Sequence, residues 1–363
     1  MLNIKIPNLF VEKSHPMVGI DITSATVKLL ELRRNDHHTT VESFSVVPFL
    51  SDAILDKEIK NPQAIANAIR IAVQRARTQA TQAVLALPTA FVISKVFQFA
   101  ADLNENDLEN QVEIEAGKLI PYAREEIMLD FTVQGPSKKG VNQNDVLVVA
   151  CRRDYLDMRV DLLADAGLEV KIVEVEAFAL QRAINWISEQ SAAAFKGEVV
   201  AVVDVGASLT TLTIFLDDQI LYTREEMFGG RHLTEEIMHR YGLSFQQAGF
   251  AKKTGALPDD FIPQVLEPFK ALFIQQVHRS LQFFYALGGY IEVDRIILVG
   301  GCAVIPGIAQ LLEDRVGVQT LVANPFENML LSSSINPGGL ANEAASLVIA
   351  CGLALRGLEH AKY

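Results

Sequence analysis

The chain has 363 residues, of which 50% are apolar and 21% are charged, the balance of a globular protein with a large core. At about 100–200 residues per domain, this length predicts two domains or three. The 44 acidic and 32 basic residues give a net charge of −12, which argues against nucleic acid or an anionic lipid surface as the main partner. The N-terminus does not have the pattern of a signal peptide, and no run of about 18 apolar residues predicts a membrane span. We therefore expect a soluble, cytosolic chain.

The three cysteines form no CxxC pair and are too few for a disulfide framework. Cys151, Cys302 and Cys351 lie in apolar runs, so we interpret them as small core residues of a reduced compartment.

The first part of the chain predicts a leader followed by a strand meander. Residues 1–16 are interpreted as a loose, flexible leader. From Met17, the segments MVGIDI, VKLLELRR and TTVESFSVVPF predict three antiparallel strands with turn residues between them. Pro62 then opens a helix that runs to about Thr78, and AVLALP is a short strand that Pro88 ends.

Residues 89–168 have the pattern of a small unit of their own. VISKVFQF, IMLDFTVQ and DVLVVACR predict strands, and helices are expected near residues 104–119 and before Gly167. EVKIVEVE and AFALQRAINWI continue as strand and helix, and residues 188–198 read as a linker or a frayed helix end.

The second half repeats the opening theme. VVAVVDVGASLTTLTIFLDDQILYTREEM predicts three strands, and the longest helix is expected over residues 264–287. RIILVGGCAVIPGIAQLLEDR predicts a strand, a glycine turn and a helix that starts at Pro306, and a last helix is expected at about residues 343–355. Because VGIDITSATVKLLEL and VAVVDVGASLTTLTIF share one register, the sequence predicts two similar lobes that face each other.

Both hairpins can act as phosphate clamps, since a tight turn of small residues lets backbone N–H groups approach an anion. Asp21 and Asp204 end buried strands, where a carboxylate can hold the water shell of Mg²⁺. The alternative is that each aspartate only caps its turn. The VGGCAVIPGI segment at 299–308 can present backbone to an adenine and ribose, or it is an ordinary strand-to-helix turn.

These three motifs, in this order, resemble the superfamily of actin, heat-shock-70 proteins and sugar kinases. That resemblance implies an α/β actin-like fold, with ATP and Mg²⁺ held between two ribonuclease-H-like lobes. A closer resemblance, to the type IV pilus assembly protein PilM family, rests on VEIEAGKLIPYAREEIMLDFTV, VLVVACRRDYLDMRVDLLADAGLEV and VEVEAFALQRA. PilM is related to the cell-division actin FtsA, and in both a small α+β subdomain is inserted in the first lobe.

The resemblance implies four folded parts after the leader. They are a first lobe 1A (17–88, 169–196 and 338–363), an inserted subdomain 1C (89–168), a second lobe 2A (197–228 and 293–337) and a helical subdomain 2B (229–292).

PilM-like proteins are cytoplasmic, and they bind both ATP and the N-terminal cytoplasmic peptide of the inner-membrane protein PilN. The resemblance places this peptide in a groove between the first lobe and residues 89–168. It implies a chain that lies at the inner membrane through its partner and hydrolyses ATP weakly or not at all. Contacts with other pilus inner-membrane or motor proteins, and weak self-association, are left open.

The resemblance also implies site residues. Catalytic roles fall to Glu176 and Asp204, and Mg²⁺ is expected at Asp21 and Asp204 through water. The expected ATP-binding residues are Asp21, Thr23, Ser24 and Lys28 in the first hairpin, Gly206, Ala207 and Ser208 in the second, and Gly229, Gly230, Lys252, Gly300 and Gly301 around the ribose and adenosine.

Two positions depart from the superfamily pattern. Thr23 stands where a glycine is usual, and a β-branched residue disfavours positive φ. Gly249 stands where an acidic residue often contacts the nucleotide sugar. Both departures leave nucleotide binding in place and argue against efficient hydrolysis.

Two other functions remain as alternatives. An FtsA-like, filament-forming cell-division protein normally carries an amphipathic membrane helix after its last domain, whereas this chain ends at RGLEHAKY with no such apolar face. A sugar or small-molecule kinase would need a catalytic aspartate in a substrate cleft, and no sugar-kinase signature is found.

Overall fold

The structure is a computed structural model, and it describes residues 16–35, 38–49, 53–55, 57–118, 120–138, 140–191, 195–217, 219–288 and 291–360. The predicted leader therefore lies outside the described residues except for Pro16. Residues 192–194 of the predicted linker lie outside them as well.

The elements follow in chain order. The strands are β1 Met17–Ile22, β2 Thr26–Arg34, β3 Thr39–Pro48, β4 Ile54–Leu55, β5 Glu58–Ile59, β6 Gln82–Leu87, β7 Val92–Ala100, β8 Ile127–Pro136, β9 Gln143–Arg152, β10 Glu169–Val175, β11 Val199–Val205, β12 Thr210–Leu216, β13 Gln219–Glu226, β14 Arg295–Val299, β15 Gln319–Val322 and β16 Leu330–Leu331. The α-helices are α1 Pro62–Ala76, α2 Glu105–Gly117, α3 Arg153–Ala164, α4 Glu176–Gln190, α5 Gly230–Tyr241, α6 Phe245–Thr254, α7 Glu267–Ala286, α8 Ile308–Val316, α9 Pro337–Glu343 and α10 Val348–His360.

Two sheets have an equivalent order over five strands, and the first sheet carries β16 in addition at its edge. The first runs β10-β6-β1-β2-β3-β16, and the second runs β15-β14-β11-β12-β13. In both, an antiparallel three-strand meander is followed by two strands parallel to its first strand. The first strand of each meander is buried almost throughout, as expected for a strand covered on both faces. The predicted internal repeat is therefore two lobes of equivalent topology.

Helices α4 and α10 pack between the two sheets. Their apolar residues share one core with strands of both lobes: Val84, Ala86, Ala179, Ala183, Ile184, Val200, Val202, Ile297, Val299, Ile349 and Leu353. The helices approach closely at Gly352, because a Cβ there would lie 1.8 Å from the carbonyl oxygen of Ala179. The lobes are thus joined by helix packing at the base of the cleft between them.

The end of the chain is more helical than expected. The last helical stretch runs over Pro337–His360, not only over about 343–355. Among the described residues, this stretch is long and apolar enough to span a membrane, with a mean hydropathy of 1.5. Because 72% of that apolar window is buried inside the protein, its hydropathy is explained by the core and gives only weak support for a span.

Two helix starts also differ from expectation. The helix after the glycine turn begins at Ile308 rather than Pro306, because Gly307 has a left-handed φ of 76° that cannot belong to a right-handed helix. The longest helix begins with a π-helical turn at Ile262–Leu266 before α7.

The inserted unit is an antiparallel sheet, β7-β9-β8, with α2 packed on it. Its core contains Phe99, Leu108, Val112, Ile127, Val146 and Val148. Leu162 and Leu163 of α3 instead pack in the first-lobe core with Ile65 and Ile69 of α1. The domain boundaries remain a prediction, and we propose on this packing that 1C ends before Arg153.

Candidate functional site

The candidate site lies where strands of the two lobes end. Asp21 is the penultimate residue of β1, and Asp204 is the penultimate residue of β11. Glu176 follows β10, and Gly300 follows β14. In open α/β sheets, ligands bind at the carboxyl ends of parallel strands, and these four residues mark those ends in both lobes.

The first hairpin carries a buried ion pair. Asp21 and Lys28 are direct cross-strand partners, so their side chains share one face of the sheet. Nζ of Lys28 lies 3.0 Å from Oδ2 of Asp21. Asp21 is 0% exposed, and its other oxygen, Oδ1, is buried without a hydrogen-bond partner. A further donor or a cation would satisfy this buried acceptor.

Lys28 is the cationic centre of the acidic cluster. Burial by itself would lower its pKa, but the charges of Asp21, Asp204 and Glu176 and the hydrogen bond to Asp21 outweigh burial and raise it. Lys28 therefore stays an ammonium ion and senses carboxylates from both lobes.

The turn of the first hairpin is closed by Thr23. Its backbone N–H donates to the carbonyl of Thr26 at 2.9 Å, and its Oγ1 accepts from the N–H of Thr26 at 3.1 Å. Thr23 is not among the described non-glycine residues with positive φ. Its β-branch is therefore not strained, because the hydroxyl rather than a glycine conformation makes the turn. Ser24 lies half-buried in the same turn.

The second hairpin packs directly on the start of α5. The N–H groups of Gly230 and Arg231 donate to the carbonyls of Gly206 and Ala207 at 3.0 and 2.8 Å. A Cβ on Gly229 would lie 2.6 Å from those same two carbonyl oxygens. The glycine is therefore required by close backbone approach. Ser208 is half-buried in this turn.

Gly300 brings the third motif against Asp204. It has a φ of +88°, and a Cβ there would lie 2.4 Å from Oδ1 of Asp204. Burial, opposed by Lys28 and assisted by the charge of Asp21, raises the pKa of Asp204. Gly301 next to it is exposed with open space around its Cα.

Lys252 of α6 is already engaged by the protein. Its Nζ donates to the carbonyl of Gly230 at 3.0 Å and to Oγ1 of Thr234 at 2.7 Å. Burial lowers its pKa, which a weaker effect of Cys302 opposes. In the structure Lys252 holds the first turn of α5, and its predicted contact with a nucleotide stays a prediction.

Glu176 is the first residue of α4 and faces the turn after β6. The N–H of Thr89 donates to Oε2 of Glu176 at 3.4 Å, and the N–H of Ala177 donates to Oγ1 of Thr89 at 3.2 Å. Burial, together with the charges of Asp21 and Asp204, raises the pKa of Glu176 to about 7, although Lys57 and Thr89 oppose the rise. A carboxyl group poised near neutrality can either accept or supply a proton.

The structure thus brings together the predicted site residues of both lobes. Asp21, Lys28, Asp204 and Glu176 form one electrostatic cluster, and the glycine turns at 206, 229–230 and 300 lie around it. Within the described part of the chain, no group of three or more His, Cys, Asp or Glu side chains could hold a metal ion directly.

Three residues contribute to the site although no sequence motif indicated that they would. Thr89 seats Glu176, Lys57 affects the charge of Glu176, and Cys302 lies against the glycine of α5. The expectation that the cysteines are core residues holds for Cys351, whereas Cys151 and Cys302 are only partly buried. Burial raises the pKa of the Cys302 thiol, so it is not an activated nucleophile.

Two lobes of equivalent topology around a cleft with an acidic site define the class of actin-like proteins. Solved structures that share this fold include the ethanolamine utilization protein EutJ from Carboxydothermus hydrogenoformans, with a TM-score of 0.54 and 15% identity over 94% of this chain and 89% of that one. MreB5 of Spiroplasma citri, in a structure bound to ADP, has a TM-score of 0.50 and 13% identity over 96% and 98% of the two chains.

The chain belongs to the type IV pilus assembly protein PilM family, whose model matches residues 19–358. It is also similar to a structure described as the PilM-PilN type IV pilus biogenesis complex, with a TM-score of 0.76 and 26% identity over 94% of this chain and 98% of that one. Curated relatives include the cell division protein FtsA of Enterococcus hirae, 22% identical over 86% of this chain and 79% of the relative. FtsA of Streptococcus pneumoniae serotype 2 is 23% identical over 91% and 78%. The predicted family and the actin-like fold are confirmed, and the chain has a role in type IV pilus assembly.

Proposed function

We propose that this chain is a cytoplasmic, ATP-binding adaptor of the type IV pilus inner-membrane assembly complex, which binds the N-terminal cytoplasmic peptide of PilN. The observation that carries the proposal is the likeness to the PilM-PilN complex over 94% of this chain and 98% of that one. On this proposal the chain is held at the inner membrane by its partner.

The site fits a magnesium nucleotide. Close packing at Gly206, Gly229 and Gly300 brings the second hairpin, the start of α5 and the turn after β14 together without side chains between them. The buried, unpartnered oxygen of Asp21 and the carboxylate of Asp204 suit the water shell of Mg²⁺. Bound Mg²⁺ would neutralise phosphate charge. The ammonium charge of Lys28 would offset the repulsion between Asp21 and Asp204, and Glu176 would orient a water molecule.

Two departures from the superfamily pattern bear on turnover. Thr23 stands where a glycine is usual, and Gly249 stands where an acidic residue is usual. Glu176, with a pKa of about 7, can still accept a proton near neutrality. We propose on the two departures that ATP acts as a structural or switching ligand and that hydrolysis is slow.

The proposed peptide groove lies between the first lobe and residues 89–168. Aromatic side chains stack where the chain enters and leaves the inserted unit: the rings of Phe91 and Tyr155 are 4.5 Å apart, and Arg152 lies 4.9 Å over Tyr155. Ile93 and Val96 on β7 are each 39% exposed. Exposed apolar and aromatic groups beside a cation suit a short peptide with alternating apolar and polar residues.

Calorimetry of the full chain tests both halves of the proposal. A synthetic N-terminal peptide of the PilN from the same organism is expected to bind with one-to-one stoichiometry, and a scrambled peptide is the control. Mg²⁺-ATP is titrated separately into the wild type and into Asp204→Ala, which is expected to lose nucleotide affinity and keep the peptide affinity. Absence of peptide binding contradicts the adaptor role, and undiminished ATP affinity in Asp204→Ala contradicts the assigned site.

The likeness to two FtsA proteins keeps a filament-forming function as the second candidate. ATP-dependent polymers of the purified chain in electron micrographs, without a partner, would favour it over an adaptor that acts as single copies.

A further inference from the structure

A lysine of the first lobe reaches across the cleft to the second lobe. Nζ of Lys57, in the turn between β4 and β5, forms an ion pair with Oε1 of Glu225 on β13. Their side chains are 18% and 31% exposed, so the pair is partly open to solvent.

The pair lies beside the candidate phosphate region. Asp204 pairs with Thr211 across β11 and β12, and Thr211 pairs with Glu225 across β12 and β13. Glu225 therefore lies level with Asp204 across the sheet. The two residues are two strands apart, so their Cα atoms are separated by about 10 Å. Lys57 also lies near enough to Glu176 for its charge to oppose the rise in the pKa of that carboxyl group. Lys57 thus lies near the part of the cleft that holds Glu176.

The backbone of Lys57 is anchored by the protein, and its side chain is mostly buried, with 18% exposed to solvent. Its φ is +65°, and its carbonyl accepts a hydrogen bond of 3.4 Å from Nη2 of Arg159. Arg159 is only 2% exposed and lies 5.5 Å over the ring of Phe91. A fixed main chain with a flexible four-carbon stem allows the ammonium group to change partners without movement of the turn.

Lys57 differs in this respect from the two lysines expected to bind nucleotide. Lys28 is locked to buried Asp21, and Lys252 is bonded to the first turn of α5. Lys57 instead pairs with a carboxylate that is 31% exposed, so water can solvate Glu225 when the pair opens.

We propose that Lys57 binds the terminal phosphate of a nucleoside triphosphate in this cleft and gives up Glu225 to do so. The inference rests on the proposed nucleotide binding. A terminal phosphate carries more charge and more acceptor oxygens than one carboxylate, so the ammonium group favours it when both are within reach. A diphosphate lacks that group and leaves Lys57 on Glu225.

The competing interpretation is that Lys57 only ties the two lobes together. In that case removal of either partner breaks the same contact, so Lys57→Asn and Glu225→Gln would change nucleotide affinity in the same direction. If Lys57 binds phosphate, the two substitutions act in opposite directions, because loss of the Glu225 charge frees the lysine.

The test is calorimetry of the full chain with Mg²⁺ and either AMP-PNP or ADP. Lys57→Asn is chosen because asparagine tolerates a left-handed φ. This substitution is expected to lower the affinity for AMP-PNP about tenfold and the affinity for ADP less than about twofold. Glu225→Gln is expected to raise the affinity for AMP-PNP about two- to threefold. Lys60→Asn is the matched control, since Lys60 is 51% exposed and pairs with Glu58.

The outcomes separate the two proposals. Wild-type chain that binds neither nucleotide overturns the proposed function and this inference with it. Wild-type chain that binds both, with Lys57→Asn unchanged or weakened equally for AMP-PNP and ADP, overturns the inference alone. A lower affinity for AMP-PNP in Glu225→Gln also overturns the inference, because it would show that the ion pair only holds the two lobes together.

Discussion

Nζ of Lys28 lies 3.0 Å from Oδ2 of Asp21, and this pair joins the two strands of the first hairpin inside the protein. Asp21 is fully buried and Lys28 is 9% exposed. The two charges satisfy one another in a place that water hardly reaches, so each depends on the other.

Lys28→Met is therefore expected to lower the free energy of unfolding by about 3–5 kcal/mol at pH 7.5, because it leaves the Asp21 carboxylate buried without its counter-ion. Urea denaturation measures the loss. The double variant Lys28→Met/Asp21→Asn is expected to recover much of it, and Lys60→Met serves as an exposed control. A single variant as stable as the wild type would show that the pair is not needed for folding.

Glu176 gives the stability of the protein a specific dependence on pH. Its pKa is about 7 in the folded chain and about 4.3 when unfolded, so the folded state binds more protons between these values. Stability contributed by protonated Glu176 is present below about pH 4.3 and is lost as the pH rises through 7. Glu176→Gln is therefore expected to be more stable than the wild type at pH 8, by about 1–3 kcal/mol, and nearly equal to it at pH 4.5.

Denaturation at several pH values measures this difference. Glu189→Gln, on the exposed face of the same helix α4, is the control and should leave the pH profile of the wild type unchanged. A gap between Glu176→Gln and the wild type that stays constant from pH 4.5 to 8 would contradict the assignment.

Gly300 and Gly301 offer a matched pair of substitutions. Gly300→Ala forces a Cβ to within 2.4 Å of Asp204 Oδ1 at a left-handed φ, so we expect a loss of at least about 1–3 kcal/mol in unfolding free energy. Gly301→Ala meets open space and is expected to change stability by less than about 1 kcal/mol. Thermal and chemical denaturation compare the two. Equal stabilities would mean that the turn adjusts freely.

Gly352 is expected to control how the lobes are joined. Gly352→Ala places a Cβ 1.8 Å from the backbone oxygen of Ala179, so α4 and α10 must separate, with a loss of about 1–3 kcal/mol or more. Gly249→Ala in α6 is the opposite control: nothing lies within 4 Å of its Cβ, so alanine should stabilise by about 0.5–1 kcal/mol. If both variants shift the unfolding midpoint in the same direction, the close helix contact is not what the structure indicates.

Local pattern was enough to predict most of the longer strands and the two hairpins, but not the short strands β4, β5, β15 and β16. The continuous apolar runs MVGIDI and VVAVVDV identify β1 and β11, and the shared register of the two segments predicts two similar lobes. The positions of Asp21 and Asp204 at strand ends follow from the same pattern, because a strand ends where a small, polar turn begins.

The partners of charged groups could not be predicted in this way. Lys28 and Lys252 are expected to bind the nucleotide, which stays a prediction, but the pattern gave no sign that Lys28 pairs with Asp21 or that Lys252 bonds to Gly230 and Thr234. Thr23 departs from the glycine pattern and still makes the turn, because its hydroxyl accepts the bond that closes it.

The sequence by itself determined most of the long strands and helices, the repeat and the ends of the strands that carry the site, since these depend on residues close together in the chain. Only the tertiary structure decided that Lys57 meets Glu225, 168 residues away, that Thr89 seats Glu176, and that α10 is buried between the lobes. The physical reason is that the energy of a charge, or of an apolar helix, depends on what surrounds it. Those surroundings are supplied by segments whose approach is fixed only when both sheets pack on the same pair of helices.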